Sequence, residues 1–390
     1  MLTEHTHWTR TDPAGTWPQR AADAAMLIAP DAAEHDRRGD FVSDGMALMR
    51  RRGFTSMLVP SELGGGGATF AETCAVLAAL AKGCPATALT LSMHSHLVAA
   101  QVWRLKHDLP APLPARVANE DLVLVSTGAS DWVDSHGTAS RVDGGFRVSA
   151  RKSPASGAPA GDIVVTSARW EDSPEGTQVI HFAVPFTAEG VSVEETWDTM
   201  GMRATGSHTV VVDDVFVPEA AVSLYRAGGE WHPVWNVVMG VAMPLILAVY
   251  VGVAEAAAER AIELARKRSD PAVAAPVIGR MVNRLRTTQN AVGAIIETND
   301  DMRFAATVEH SAAVLSNKTV AAEAAIDTVR LAMEAAGGVG YTTGGGIERL
   351  YRDVHGVLYH PLPAAKQEMF TGRVALGLDP IGAGEGVRAG

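Results

Sequence analysis

Hydrophobic positions change their period twice along this chain. In the first third they recur at helical spacing: "TFAETCAVLAALAKG" puts Phe70, Cys74, Leu77 and Ala81 on one face, and Thr69 stands three residues before Glu72 in the pattern of a capping box. "FVSDGMALMRRRG" reads as another helix, stopped at Gly53. Between them, "VPSELGGGGATF" carries consecutive glycines, Gly64 to Gly67. They lack the strand and Lys-Ser/Thr context of a phosphate loop, so a tight interhelical turn is predicted. From about Asp121 the period falls to two. "LVLVS", "SRVDGGFRVSA", "DIVVTSA", "VIHFAVPF", "VSVEE" and "HTVVVDDVFVP" are short β-branched runs between turn signals, with Asp143-Gly144-Gly145 as a hairpin tip. After Pro218 the helical period returns, in Val249 to Arg268, Val277 to about Met302 and Ala312 to Ala336. The short breaks between these long helices predict an antiparallel bundle.

Composition narrows the class. With 390 residues, 47% hydrophobic and 20% charged, the chain has the balance of a globular protein of two to three domains. A net charge of -11 without blocks of Lys and Arg argues against nucleic acid or an anionic membrane as partner, which leaves a small molecule. Cys74 and Cys84 match neither a disulfide framework nor zinc spacing and read as reduced thiols, and no metal site is expected. The start, "MLTEHTHWTRTDPAG", has no signal-peptide pattern, so a cytoplasmic location is expected. Val237 to Ala254 is 18 residues without a charge, at the threshold for a membrane span. It contains Pro244 and runs into the mixed charges of "EAAAERAIELARKR", so the reading is a buried bundle helix. A β-domain between two helical domains leaves clefts at the junctions, where cofactors tend to bind.

Stretches in this same order resemble the acyl-CoA dehydrogenase superfamily of flavoproteins over almost the full length. They are "VPSELGGGG", "VSTGASD", "WDTMGMRATGSHTVVVDDVFVP" and "EAAGGVGYTTGGGIERLYRD". The resemblance implies an α+β fold of the acyl-CoA dehydrogenase type: an N-terminal helical domain (1–119), a middle antiparallel β-domain (120–226) and a C-terminal four-helix bundle (227–390), assembled as a homodimer or homotetramer. It implies FAD, or alternatively FMN. Ser126 and Thr127 fall in the loop that fixes the flavin ring, Ser156 in the segment on its other side, and Gly337 and Gly338 where bare backbone meets a pyrophosphate. Arg203 falls where the family places an Arg near substrate and flavin, a salt bridge being the structural alternative. Two features depart from type: Glu334 replaces the usual Gln, and no Arg-x-x-Phe-Gly stretch follows Arg268. Glu348, Arg349, Arg352 and Asp353 read as a solvated or domain-bridging ion-pair network.

The catalytic base is missing. The family uses a Glu to take the α-proton of an acyl thioester, and its usual position falls on Pro361. The position used by a second branch falls on Met243. His360 is the candidate substitute, held by Pro361 and Pro363. The leading expectation is an FAD-dependent acyl-CoA dehydrogenase-like enzyme of fatty acid metabolism. It would act on an acyl-CoA or acyl-carrier-protein thioester, with an electron-transfer flavoprotein or a flavin reductase as partner. "RDVHGVLYHP" also resembles flavin-dependent monooxygenases of this fold, which place a His in this loop and receive reduced flavin from a reductase; this is the alternative expectation. "MHSH" offers His94 and His96 as further imidazoles, read first as polar residues at a helix end. A catalytically weak flavin-binding paralogue is the third reading.

Overall fold

The computed structural model describes residues 15–129 and 131–382. Residues 1–14, Ser130 and residues 383–390 lie outside the described residues, and with them nearly all of the stretch read above for a signal peptide. The chain opens with five helices: α1 (Trp17–Arg38), α2 (Ser43–Arg51), α3 (Phe70–Gly83), α4 (Pro85–Lys106) and α5 (Leu113–Glu120). α3 starts where its capping box predicts: Thr69 Oγ1 accepts from the Glu72 N–H, and the Glu72 carboxylate accepts from the Thr69 N–H. The glycine run folds back on the chain before it, with Gly65 N–H donating to Pro60 O and Gly67 N–H to Val59 O. A Cβ at Gly65 would lie 2.1 Å from the Val59 carbonyl oxygen, so this turn needs glycine.

The strands follow as β1 (Leu124–Ser126), β2 (Thr138–Val142), β3 (Gly145–Ala155), β4 (Ile163–Trp170), β5 (Gln178–Pro185), β6 (Val191–Glu194), β7 (His208–Pro218) and β8 (Val222–Ala227). They form one sheet in the order β6-β7-β3-β2-β4-β5-β8, with β1 beside β4. Asp143-Gly144 closes the β2–β3 hairpin, in which Val142 faces Gly145. The sheet is mixed, which corrects the expectation of a purely antiparallel one: β1 runs parallel to β4 and β2 touches β4 in parallel. β8 is a second correction, because the chain makes one more strand after Pro218 before turning helical.

The remaining helices are α6 (Val234–Arg266), α7 (Ala275–Asn299), α8 (Val308–Ala336), α9 (Gly338–Tyr341), α10 (Ile347–Val354) and α11 (Ala364–Ala375). α6, α7 and α8 pack on one another, and α11 lies against α8 as the fourth member of the bundle. α6 begins at Val234, joining the apolar run Val237 to Ala254 and the segment from Val249 to Arg266 into one helix, and runs through Pro244. Proline has no N–H for the Gly240 carbonyl one turn back. Asn299 supplies the missing donor, its Nδ2 lying 2.9 Å from Gly240 O while its Oδ1 accepts from the Met302 N–H. The most apolar window of α6 is 94% buried within the protein, as expected of a bundle helix.

The three layers meet at the end of α1. Arg352 of α10 binds the Asp36 carboxylate with both Nη atoms, at 3.0 and 2.6 Å, and also Glu348. Asp353 accepts from the Met202 N–H in the turn between β6 and β7. Of the two readings of the charged cluster, these contacts match the bridging one.

Candidate active site

Four polar side chains converge inside the helical body. His360 follows the short turn after α10, Tyr250 sits midway along α6, His96 on α4 and Lys318 on α8. Tyr250 Oη lies 2.7 Å from His360 Nε2. Lys318 Nζ donates to Leu362 O at 2.9 Å, two residues beyond His360. Tyr250 is 1% exposed, Lys318 3% and His96 8%.

The surroundings set the charge states. Although His360 keeps an accessible edge, its ring is enclosed enough that burial, with Lys318 and His96 adding to it, pushes its pKa down to about 3. Burial raises Tyr250 well above the ordinary phenol range, Asp353 acting in the same direction. Both partners are therefore neutral near pH 7. Burial lowers Lys318 to about 8 and His96 to about 4, which the Ser92 carbonyl one turn back only partly opposes. The His96 Nδ1 makes no well-formed hydrogen bond, and the His360 Nδ1 has no partner among the described residues. Among the described residues, no carboxylate hydrogen-bonds any of the four groups. Asp353, the buried acid that acts on Tyr250, is raised to about 6 by its own burial and is occupied by the Met202 N–H.

The positions expected to carry a base hold none. Met243 is 2% exposed inside α6, and Pro361 follows His360. His94 and His96 lie within α4 rather than at a helix end, and they differ. His94 Nε2 contacts Thr55 O at 2.6 Å while its Nδ1 accepts from the Leu124 N–H at 2.9 Å, so His94 ties α4 to the N-terminal loop and to β1. His96 faces the His360 corner instead.

The expected flavin contacts are spread over several elements. Ser126 ends β1, half-buried, with no hydrogen-bond partner for its hydroxyl among the described residues. Thr127 is spent within the sheet, its N–H on Val165 O and its hydroxyl on Thr166 Oγ1 at 2.6 Å. Ser156, just after β3, shares a hydroxyl chain with Ser207 at 2.7 Å and onward to Thr205 at 2.6 Å. Gly337 caps α8 at φ 68, and a Cβ on Gly338 would meet nothing within 4 Å, so the packing of this chain does not itself demand glycine at 338. Glu334 is turned aside onto Arg280 at 3.0 Å and Arg330 at 3.5 Å. The open Ser126 hydroxyl at the end of β1 and the bare backbone at Gly337 and Gly338 fit a flavin ring and a phosphate respectively. Arg203 takes the structural alternative: its guanidinium binds Asp36 O at 2.9 Å, Thr199 O at 2.7 Å and the Asp198 carboxylate at 3.2 Å.

Tyr250 and Lys318 were missed in the sequence, though both left a trace. Tyr250 is the one polar side chain in the uncharged run from Val237 to Ala254, and Lys318 interrupts the buried stripe Leu315, Ala322, Ala325 and Val329 at helical spacing.

Comparisons with known proteins give the family and the fold. The acyl-CoA dehydrogenase N-terminal, middle and C-terminal domain models match residues 21–106, 126–215 and 235–357. The amino sugar nitrososynthase DnmZ of Streptomyces peucetius is 28% identical over 90% of both chains. The FADH(2)-dependent resorcinol hydroxylase oxygenase component of Rhizobium sp. (strain MTP-10005) is 28% identical over 56% of this chain and 53% of its own. The chain spans about half the length of the first curated relatives it matches. A KijD3 crystal structure in complex with FMN and dTDP-3-amino-2,3,6-trideoxy-4-keto-3-methyl-D-glucose superposes with a TM-score of 0.82, at 27% identity over 94% of this chain and 95% of the other. With all three domain models matched in order and the fold shared end to end, this chain belongs to the acyl-CoA dehydrogenase family.

Proposed function

We propose that this protein is the oxygenase component of a two-component flavin-dependent monooxygenase acting on a small molecule, with reduced flavin delivered by a separate reductase. The observation that carries the reading is the corner around His360, where two imidazoles, a phenol and an amine meet with no carboxylate bonded to them. Dehydrogenation of an acyl thioester needs a base matched to a weakly acidic α-proton, and an imidazole whose pKa has fallen to about 3 is a poor one. A neutral imidazole is instead suited to donate a hydrogen bond to developing negative charge and to pass on a proton.

When bound, reduced flavin would supply two electrons for oxygenation, in which one atom of O2 enters the substrate and the other leaves as water. The Ser126 hydroxyl and the Ser156–Ser207–Thr205 chain would hold the ring, and Gly337 and Gly338 would admit the phosphate. His360, oriented through Nε2 by Tyr250, presents Nδ1 to the reacting side, and His96 provides a second neutral imidazole. The apolar walls of α4 and α6 exclude water. The FMN-bound KijD3 structure supports FMN and the FADH(2)-dependent resorcinol hydroxylase supports FAD, while KijD3 and the nitrososynthase point to amino sugar nucleotides as the first substrates to try.

The test supplies the protein with FMN, a flavin reductase, NADH and 18O2, and follows panels of amino sugar nucleotides, phenols and thiophenes by mass spectrometry. Incorporation of one labelled oxygen atom into a product supports the reading. Protein that binds flavin yet oxygenates nothing, while oxidising an acyl-CoA, would return the dehydrogenase reading; failure in both assays would favour the weak paralogue.

A further inference from the structure

Lys318 lies 3% exposed on α8 and makes no ion pair among the described residues. Burying an ammonium group without a counter-charge is costly, and methionine would fill the same space without that penalty. Its single hydrogen bond reaches the Leu362 carbonyl. The next residue, Thr319, donates to Gln367 Oε1 at 2.7 Å, and Gln367 Nε2 donates in turn to Thr371 Oγ1 at 2.7 Å. Consecutive residues of α8 thus hold Leu362 in the loop after His360 and Gln367 in the first turn of α11, while Tyr250 holds the imidazole from α6.

We propose that Lys318 is a positioning residue for His360: it pins the 360–363 loop to α8 so that the imidazole meets Tyr250 in one orientation. Its charge acts in the same direction. The groups facing His360 are Tyr250 from α6, His96 from α4 and Lys318 from α8, and the Lys318 ammonium helps keep the imidazole unprotonated. Asp353 on α10 reaches Tyr250 but does not pair with Lys318. The inference rests on the reading of His360 as the working residue, but its geometry is measurable without any reaction.

The test uses the full chain without flavin or substrate, labelled with 15N-histidine, at pH 7. In the parent, the His360 nitrogens should give the pattern of one tautomer. In Lys318→Met they should move toward the averaged pattern of a free imidazole, and amides between 362 and 367 should exchange at least ~10-fold faster. Lys318→Arg should restore both, and Lys318→Leu replaces the methionine variant should that one not fold. In the oxygenase assay, kcat of Lys318→Met should fall on the order of 10- to 100-fold with KM nearly unchanged. Unchanged nitrogen signals and exchange in both apolar variants would overturn the inference. Changed signals in a protein that oxygenates nothing would leave Lys318 as the positioning residue and overturn the oxygenase instead.

Discussion

Two buried lysines show how differently this fold treats the same side chain. Lys152, on β3, is 2% exposed and paired at 2.5 Å with Asp131, itself 2% exposed. Ser135 joins both, His136 binds the same carboxylate, and Arg226 reaches the Asp131, Val133 and Asp134 carbonyls. Burial alone would raise Asp131, yet Lys152 and His136 hold it below the usual carboxylate range. That network is closed and serves to lock the loop after β1. Around Lys318 the network is open: among the described residues the amine has one carbonyl, and the His96 Nδ1 has no well-formed hydrogen bond. A closed buried network contributes to stability and uniqueness, whereas an open one is strained in isolation and is where chemistry is to be sought.

The comparison is broken most forcefully by substituting each lysine with methionine. Lys152→Met strands the Asp131 carboxylate and should cost about 3–5 kcal/mol in denaturant unfolding. Lys318→Met strands no charge, so its stability should stay at or above that of the parent while turnover falls. Equal stability losses in the two variants would erase the distinction. Next, His360→Ala should lower oxygenase turnover by about 10²–10⁴-fold with little change in unfolding midpoint.

The paired imidazoles of α4 give a finer contrast. His94→Gln, which breaks bonds to Thr55 and Leu124, should lose about 1–3 kcal/mol of stability. His96→Gln should leave stability nearly intact and reduce turnover. A pH series adds the sign. His94, His96 and His360 have folded pKa values of about 4, 4 and 3, below the unfolded value of about 6.5, so acid protonates the unfolded chain first. These imidazoles then leave stability unchanged above pH 6.5 and lower it as pH drops from there toward 4, by up to ~1.4 kcal/mol per pH unit for each. Asp353, raised to about 6, opposes this over part of the same window. The His94→Gln variant should show a shallower acid slope than the parent, and an unchanged slope would argue against a buried neutral His94.

Much of the scaffold was legible because local signals and tertiary structure agree. The Thr69–Glu72 box, the Asp143-Gly144 turn and the period-two runs each specify their element within a few residues. How α6 continues through Pro244 was not legible, because the repair lies 55 positions away at Asn299. The parallel pairing of β1 with β4 was hidden for a similar reason: alternation identifies a strand but not the direction of its neighbour. At the site, the sequence singled out His360 from its loop, yet its partners come from three other helices. Only the assembled fold brings Tyr250, His96 and Lys318 to it, and only the fold shows Arg203 bound to the end of α1.

The most direct test of a carboxylate-free oxygenase corner is an anaerobic titration of the flavin-loaded protein with acyl-CoAs of varied chain length and branching, watching the oxidised-flavin band near about 450 nm. The account predicts that no acyl-CoA bleaches the band, while reduced flavin in air supports substrate oxygenation. Bleaching by any one class of acyl-CoA would show hydride delivery to the flavin and contradict it.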